Sequence, residues 1–177
     1  STYNNRGKGS VETNGVRPNA VTDLNTGQLR TYDYHLKPMY WDTTAPRDSF
    51  YYVNQWGPAY EADKAIEYIQ TQKGNKQPFA LVVSMNPPHT GYELVPDKYK
   101  AIYKDIDVEA LCHRPDIPAK GTEMGNYFRN NIRNYYACIT GVDEQVGRII
   151  ETLKSNGLFE NTIIVFTSDH VSAWELT

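Results

Sequence analysis

Cysteine is scarce in this sequence, and its spacing argues against two functions at once. The 177 residues hold two, Cys112 and Cys138, far apart and outside any C-x-x-C pattern. Such spacing indicates neither a zinc site nor a disulfide framework. Long apolar runs are lacking too: none approaches the ~20 residues of a membrane-spanning helix. The first residues are polar rather than leader-like. Because the chain does not begin with Met, that says little about a leader. There is no excess of one charge, since 18 Lys and Arg against 21 Asp and Glu leave a net charge of -3. This balance points away from nucleic acid and from a polybasic membrane contact. No internal repeat is visible.

What the sequence has in unusual number is tyrosine, fourteen residues. Two readings are open. Aromatic-rich loops line carbohydrate or aryl sites, and tyrosine also closes cores while keeping its hydroxyl satisfied.

Residues 1–57 show no sustained periodicity and few aliphatic side chains. They cannot build a core of their own and read as an irregular, loop-rich segment of a larger domain. Order is expected from residue 58 to residue 170. Ala62, Ala65, Ile66 and Ile69 fall at helical spacing, and Lys73-Gly74 supplies a stop. Phe79 to Met85 is a continuous apolar run, read as a strand buried on both faces. Residues 90–123 are loop-like, with a helical turn around Lys98–Tyr103. Phe128, Ile132, Tyr135, Ile139, Val142, Val146, Ile149 and Leu153 step by three or four and predict a long amphipathic helix. Glu144 is expected to pair with Arg148 one turn on, and Asn156-Gly157 to cap the helix end. Thr162 to Thr167 is the second apolar strand. Strand, helix and strand make a right-handed βαβ unit, so the fold class is α/β.

Each expected strand runs into a polar cluster: Asn86 and His89 after the first, Ser168, Asp169 and His170 after the second. In open α/β sheets ligands bind beyond the carboxyl ends of parallel strands. Two parallel strands would therefore bring both clusters to one sheet edge. Asp169 suits a hard cation such as calcium, and His170 could ligate a metal or bond an anion. One carboxylate is not a calcium site, so further ligands must come from elsewhere. Cys112-His113-Arg114-Pro115 suggests an activated thiol. It sits in a proline-broken loop with no helix N-terminus following, and is read as a decoy.

Ser84-Met85-Asn86-Pro87-Pro88-His89-Thr90 resembles the strand-end motif of sulfatases of the alkaline-phosphatase superfamily. Tyr135-Tyr136-Ala137, Gly141-Val142-Asp143, Val146-Gly147 and Leu153 resemble their long helix. Asn161 to His170 looks like their metal-binding strand, and the likeness runs from about Tyr40 to His170. It implies part of a mixed sheet flanked by helices, incomplete in this chain. It implies hydrolysis of sulfate esters of a carbohydrate or aryl compound, with a formylglycine nucleophile made from Cys or Ser in a C/S-x-P/A-x-R motif. Asp169 and His170 would be metal ligands, the metal being calcium, and His89 would contact the sulfate or the leaving oxygen. A periplasmic or secreted location follows from the same likeness. The nucleophile motif is absent from the sequence, as is the family's N-terminal Asp-Asp pair. The chain therefore reads as an internal fragment, inactive alone and prone to self-association. Two competing readings remain. One is a phosphodiesterase or phosphonate hydrolase of the same superfamily; the other is a non-catalytic carbohydrate-binding module.

Residues 171–177 form an atypical tail that reads as a frameshift. Restoring one G after the His170 codon forces Gly first, because every Val codon begins with GT. A second Gly is forced four positions later, because Trp has one codon and Glu begins with GA. The restored phrase resembles the family's continuation. A divergent end or a cloning remnant is the competing reading.

Overall fold

The computed structural model describes residues 2–3, 20–23, 29–31, 39–41, 49–53, 55–89 and 91–168. It divides into two compact units, Ser1–Glu61 with Ser84–Asn86, and Ala62–Val83 with Pro87–Thr177.

The first unit holds a five-stranded sheet in the order β1-β4-β5-β2-β3. The strands are β1 (Thr2–Tyr3), β2 (Ala20–Asp23), β3 (Leu29–Thr31), β4 (Met39–Trp41) and β5 (Ser49–Tyr52). β1 pairs antiparallel with β4 (Thr2 opposite Trp41), and β4 antiparallel with β5 (Met39 opposite Tyr52). β2 pairs antiparallel with β3 (Ala20 opposite Thr31) and parallel with β5 (Thr22 opposite Ser49). The segment expected to be irregular thus contains strands. Val, Thr, Phe, Tyr and Trp at these positions favour them, but runs of two to four residues are too short for alternation to show.

The second unit is helical, its first helix entering it at Ala62. α1 (Gly57–Thr71), α2 (Asp97–Tyr103), α3 (Val108–Leu111) and α4 (Glu123–Ser155) are joined by 3-10 turns at Tyr92–Leu94 and Phe159–Asn161. α2, α3 and both turns pack on α4. α1 buries Ala62, Ala65 and Ile69 as its spacing predicts, and Gly74 turns the chain away with φ 78°.

The two segments expected to be strands are not strands in the described structure. Phe79–Met85 and Thr162–Thr167 carry no ladder pairing. Val82 is 91% exposed, Ile163 93%, Val165 79% and Phe166 78%. A helix closes its hydrogen bonds within itself, whereas a strand needs a neighbour. The sequence pattern that marks a buried strand is present; an adjoining strand is not found among the described residues.

α4 is 33 residues long, or ~50 Å at 1.5 Å per residue. Thr122 caps its start, accepting from Gly125 N at 3.0 Å while donating to Ala119 O at 2.7 Å. Its end is a Schellman turn: Gly157 N donates to Lys154 O at 3.0 Å and Leu158 N to Leu153 O at 2.9 Å, with Gly157 at φ 70°. Phe128, Ile132 and Leu153 are buried as expected, but in the middle the buried positions are Ala137, Cys138, Gly141 and Gln145. Ile139 is 38% exposed, and Val142, Val146 and Ile149 are half-buried. One residue is roughly 100° round a helix. α2 and the first 3-10 turn thus cover a face beside the apolar stripe, leaving the stripe partly open.

Gln145 explains why that neighbouring face is chosen. Its Nε2 donates to Tyr99 Oη at 3.0 Å and to Gly141 O at 3.4 Å, and its Oε1 accepts from Arg148 Nη1 at 2.7 Å. Arg148 Nη2 reaches Asp63 of α1 at 2.5 Å. The expected pairing of Arg148 with Glu144 does not form. Glu144 instead binds Lys98 of α2 at 2.6 Å, and an i,i+4 pair worth only a few tenths of a kcal/mol is readily displaced by such an alternative partner.

Arg129 donates to both oxygens of Glu109, at 2.8 and 3.2 Å, and to the carbonyls of Pro118 and Gly125 at 2.9 and 3.0 Å. Arg133 grips Ile106 O at 2.9 and 2.6 Å. These bonds tie the chain between α2 and α4 to the first half of α4.

Gly125 packs against the carbonyls of Ala119 and Pro118, and an added Cβ would overlap the Ala119 oxygen. Gly125→Ala is expected to lower stability by about 2–4 kcal/mol, read by thermal or denaturant unfolding. A loss below the ordinary surface range of about 0.5 kcal/mol would show that this approach does not matter.

The Arg129 guanidinium holds the Glu109 carboxyl below the usual carboxylate range. A depressed folded value means stability present above the unfolded value and lost as pH falls through the folded one. Glu109→Gln is therefore expected to lower the melting temperature at neutral pH. The gap to the parent should shrink below about pH 4.3, the ordinary glutamate value. A gap unchanged by acid would refute the ion pair's role.

Candidate active site

The Pro87–Pro88 peptide is cis, and the exposed His89 follows it. Gly91 adopts φ 104°, a left-handed conformation that glycine takes without strain, and starts the Tyr92–Leu94 turn. Tyr92 is buried. Its ring stands edge-on to Tyr135 of α4 at 5.8 Å, and its carbonyl accepts from Cys138 Sγ at 3.9 Å. Burial, then Tyr127 and Tyr135, push the Tyr92 phenol well above its usual value, so it remains a neutral anchor. His89 is thus an exposed imidazole three residues from a turn fixed on α4.

The other two residues of the expected site, Asp169 and His170, lie outside the described residues, as does the tail 171–177. Ser168, at the edge of the description, is exposed. Among the described residues no group of three or more His, Cys, Asp or Glu side chains could hold a metal. The expected convergence of the two clusters is therefore not displayed by the described structure; only His89 is placed.

Among the described residues several tyrosines serve in packing, while Tyr68 and Tyr127 are exposed. Tyr99 is buried against Gln145. Tyr103 stacks on Tyr136 at 5.9 Å and shares a 2.7 Å hydrogen bond with Thr140. Cys112 is half-buried, and desolvation raises its thiol despite the opposing charge of Arg129. Burial pushes the Cys138 thiol up to about 12. Neither is an activated nucleophile. Sequence reasoning passed over Arg129, Arg133 and Gln145, which fix α2 and the segment after it on α4. The signal available was a polar Gln, and Arg residues one turn apart, beside an apolar stripe.

A profile of the sulfatases, described as "Sulfatase", matches residues 9–175. The chain belongs to the sulfatase family. Its fold is accordingly that of the sulfatases, which is alkaline-phosphatase-like. It is similar to an endo-4-O-sulfatase of Bacteroides thetaiotaomicron, 35% identical over 79% of this chain and 27% of that protein. It is similar to an ulvan-active sulfatase of Formosa agariphila, 34% identical over 79% of the chain and 26% of that protein. A crystal structure of a Bacteroides fragilis protein assigned as a sulfatase is 86% identical with a TM-score of 0.69. That match covers 74% of this chain and 28% of the other. The chain thus spans about a quarter of the length of these relatives. Their names do not favour the phosphodiesterase or binding-module readings.

If Cys112 is an unactivated thiol, its alkylation by iodoacetamide should rise with pH to a midpoint above that of free cysteine. A midpoint below it would restore Cys112 as a candidate nucleophile.

Proposed function

We propose that the protein of which this sulfatase chain is part hydrolyses sulfate esters of a glycan. The observation that carries the reading is the family match across residues 9–175, which takes in all three motif-bearing segments together. The names of the two relatives, an endo-4-O-sulfatase and an ulvan-active sulfatase, support a glycan over a small aryl compound. The family's mechanism is in general formylglycine-dependent. The sequence holds no C/S-x-P/A-x-R motif, so that nucleophile would lie outside these 177 residues.

In this reading His89 donates a hydrogen bond to the sulfate or to the departing oxygen. Asp169 would hold a calcium ion, with His170 beside it. The donor chemistry fits a share of the site: calcium takes six to eight oxygens, and this pair supplies one carboxylate and one imidazole. Bound calcium would neutralise charge on the sulfate oxygens. Phe79–Met85 and Thr162–Thr167 would be parallel strands of a mixed sheet lying on the open stripe of α4. The exposure of Val82, Ile163, Val165 and Phe166 and the partial exposure of Ile139 support that sheet. A periplasmic or secreted location belongs to the same proposal and rests on the family likeness alone.

Sulfate release from sulfated glycans by the whole protein tests the reading. His89→Ala is expected to cost about a hundredfold in rate. Asp169→Ala should abolish turnover and lower calcium affinity in calorimetry, while the 177-residue chain alone should show no turnover. An active Asp169→Ala protein would remove the metal assignment. Turnover by the purified chain alone, lost on His89→Ala, would contradict an outside nucleophile.

A further inference from the structure

His89 and Tyr92 lie in the compact unit that takes in Pro87–Thr177, and Tyr92 is the next buried residue described after His89. Three residues span at most ~11 Å, because each extends the chain by no more than ~3.6 Å. Tyr92 is held from several sides. Its ring stands edge-on to Tyr135 of α4 at 5.8 Å, and its carbonyl accepts from Cys138 Sγ at 3.9 Å and from Val95 N at 3.3 Å. Leu94 N donates to Gly91 O at 3.0 Å, and Val95, which ends the turn, is 1% exposed. The chain enters this anchor through Gly91 at φ 104° and ψ 27°. A side chain there is strained, although an added Cβ would meet only Leu94 Cδ1, at an ordinary 3.6 Å. Glycine is therefore required for the direction of the backbone and not for space. That direction sets the line along which the chain leaves Tyr92 toward His89.

We propose that Gly91 and Tyr92 are positioning residues for His89. The buried ring fixes one end of a three-residue tether on α4, and the left-handed glycine aims the other end. Neither residue touches substrate in this role. The role rests on the reading of His89 as donor to the sulfate or the departing oxygen, because such a donor acts only when held within about 0.5 Å of its productive place. A backbone anchored three residues away limits how far the imidazole strays from it.

Sulfate release by the whole protein, with kcat and KM measured separately, tests this. Gly91→Ala, whose methyl clashes with nothing, is expected to lower kcat about tenfold or more while KM stays close to the parent's. Gly91→Asn should keep more of the rate than Gly91→Ala, because asparagine enters the left-handed region more readily. Tyr92→Leu, which removes the ring, should behave as Gly91→Ala. The deciding measurement repeats Gly91→Ala and Tyr92→Leu in a His89→Ala background. Residues that act through His89 cost nothing further there, whereas a general loss of folded protein multiplies with the loss already present. Full activity of both single variants, or losses that multiply with that of His89→Ala, overturns the positioning role and leaves the role of His89 standing. A His89→Ala protein as active as the parent removes the role of His89, and the positioning role with it.

Discussion

A single buried amide joins the two most extensively packed helices, α2 and α4. Gln145 lies inside α4, and a side-chain amide in that position must have its donors and acceptor met or cost several kcal/mol. Tyr99 of α2, the Gly141 carbonyl and Arg148 meet them, and Arg148 extends the chain of bonds to Asp63 of α1. Gln145 itself ties α4 to α2, and α1 is joined to the pair by the exposed Arg148–Asp63 ion pair. The orientation of α4 follows from the Gln145 contact, because the face carrying Gln145 is turned to α2 and the neighbouring apolar stripe is left to other partners. The loop from Asp105 to Thr122 is then held by Arg129 and Arg133 on the first half of the same helix. Tyr92, three residues after His89, rests on the same helix through Cys138 and Tyr135.

The legible parts of the fold are those whose hydrogen bonds are local. The spacing of Ala62, Ala65 and Ile69, the Asn156-Gly157 ending and the run from Phe128 to Leu153 describe helices, and helices are there. A helix carries its own evidence within a dozen residues. The five short strands of the first unit were missed because runs of two to four residues show no alternation, and two of the pairings are also distant in sequence. β2 pairs with β5 across more than twenty residues of sequence, and nothing in the segment Ala20–Asp23 announces that partner. The reverse error has the same origin. Phe79–Met85 and Thr162–Thr167 have strand composition, but composition specifies what a segment can do and a neighbour specifies whether it does. The Glu144–Arg148 pair failed for a third reason: each side chain had a better partner on another helix, and a one-dimensional reading sees only the i,i+4 candidate.

For the site, the sequence was more informative than the described structure. The Pro-Pro-His phrase and the Ser-Asp-His phrase were recognisable as strings, and the family match includes both. What a string cannot give is the support of each group. The turn that follows His89 is anchored by Tyr92, whose carbonyl accepts from a buried cysteine more than forty residues away. Raised thiols at Cys112 and Cys138 also had no sequence signal, since Cys112-His113-Arg114 suggested the opposite. There burial outweighs the adjacent guanidinium of Arg129, and only packing reveals it.

The contrast between α4 and its flanking segments has one physical source. A capped helix of 33 residues satisfies its backbone internally and keeps its shape with a single well-covered side. A strand of a parallel sheet satisfies nothing internally and is buried on both faces only when neighbours exist. Among the described residues the helices, caps and loop anchors are formed, while Phe79–Met85 and Thr162–Thr167 carry no ladder. In the reading proposed above, strands lying on the partly open Ile139–Ile149 side of α4 would cover both that side and the exposed Ile163–Phe166 segment, since the neighbouring side is already covered by α2.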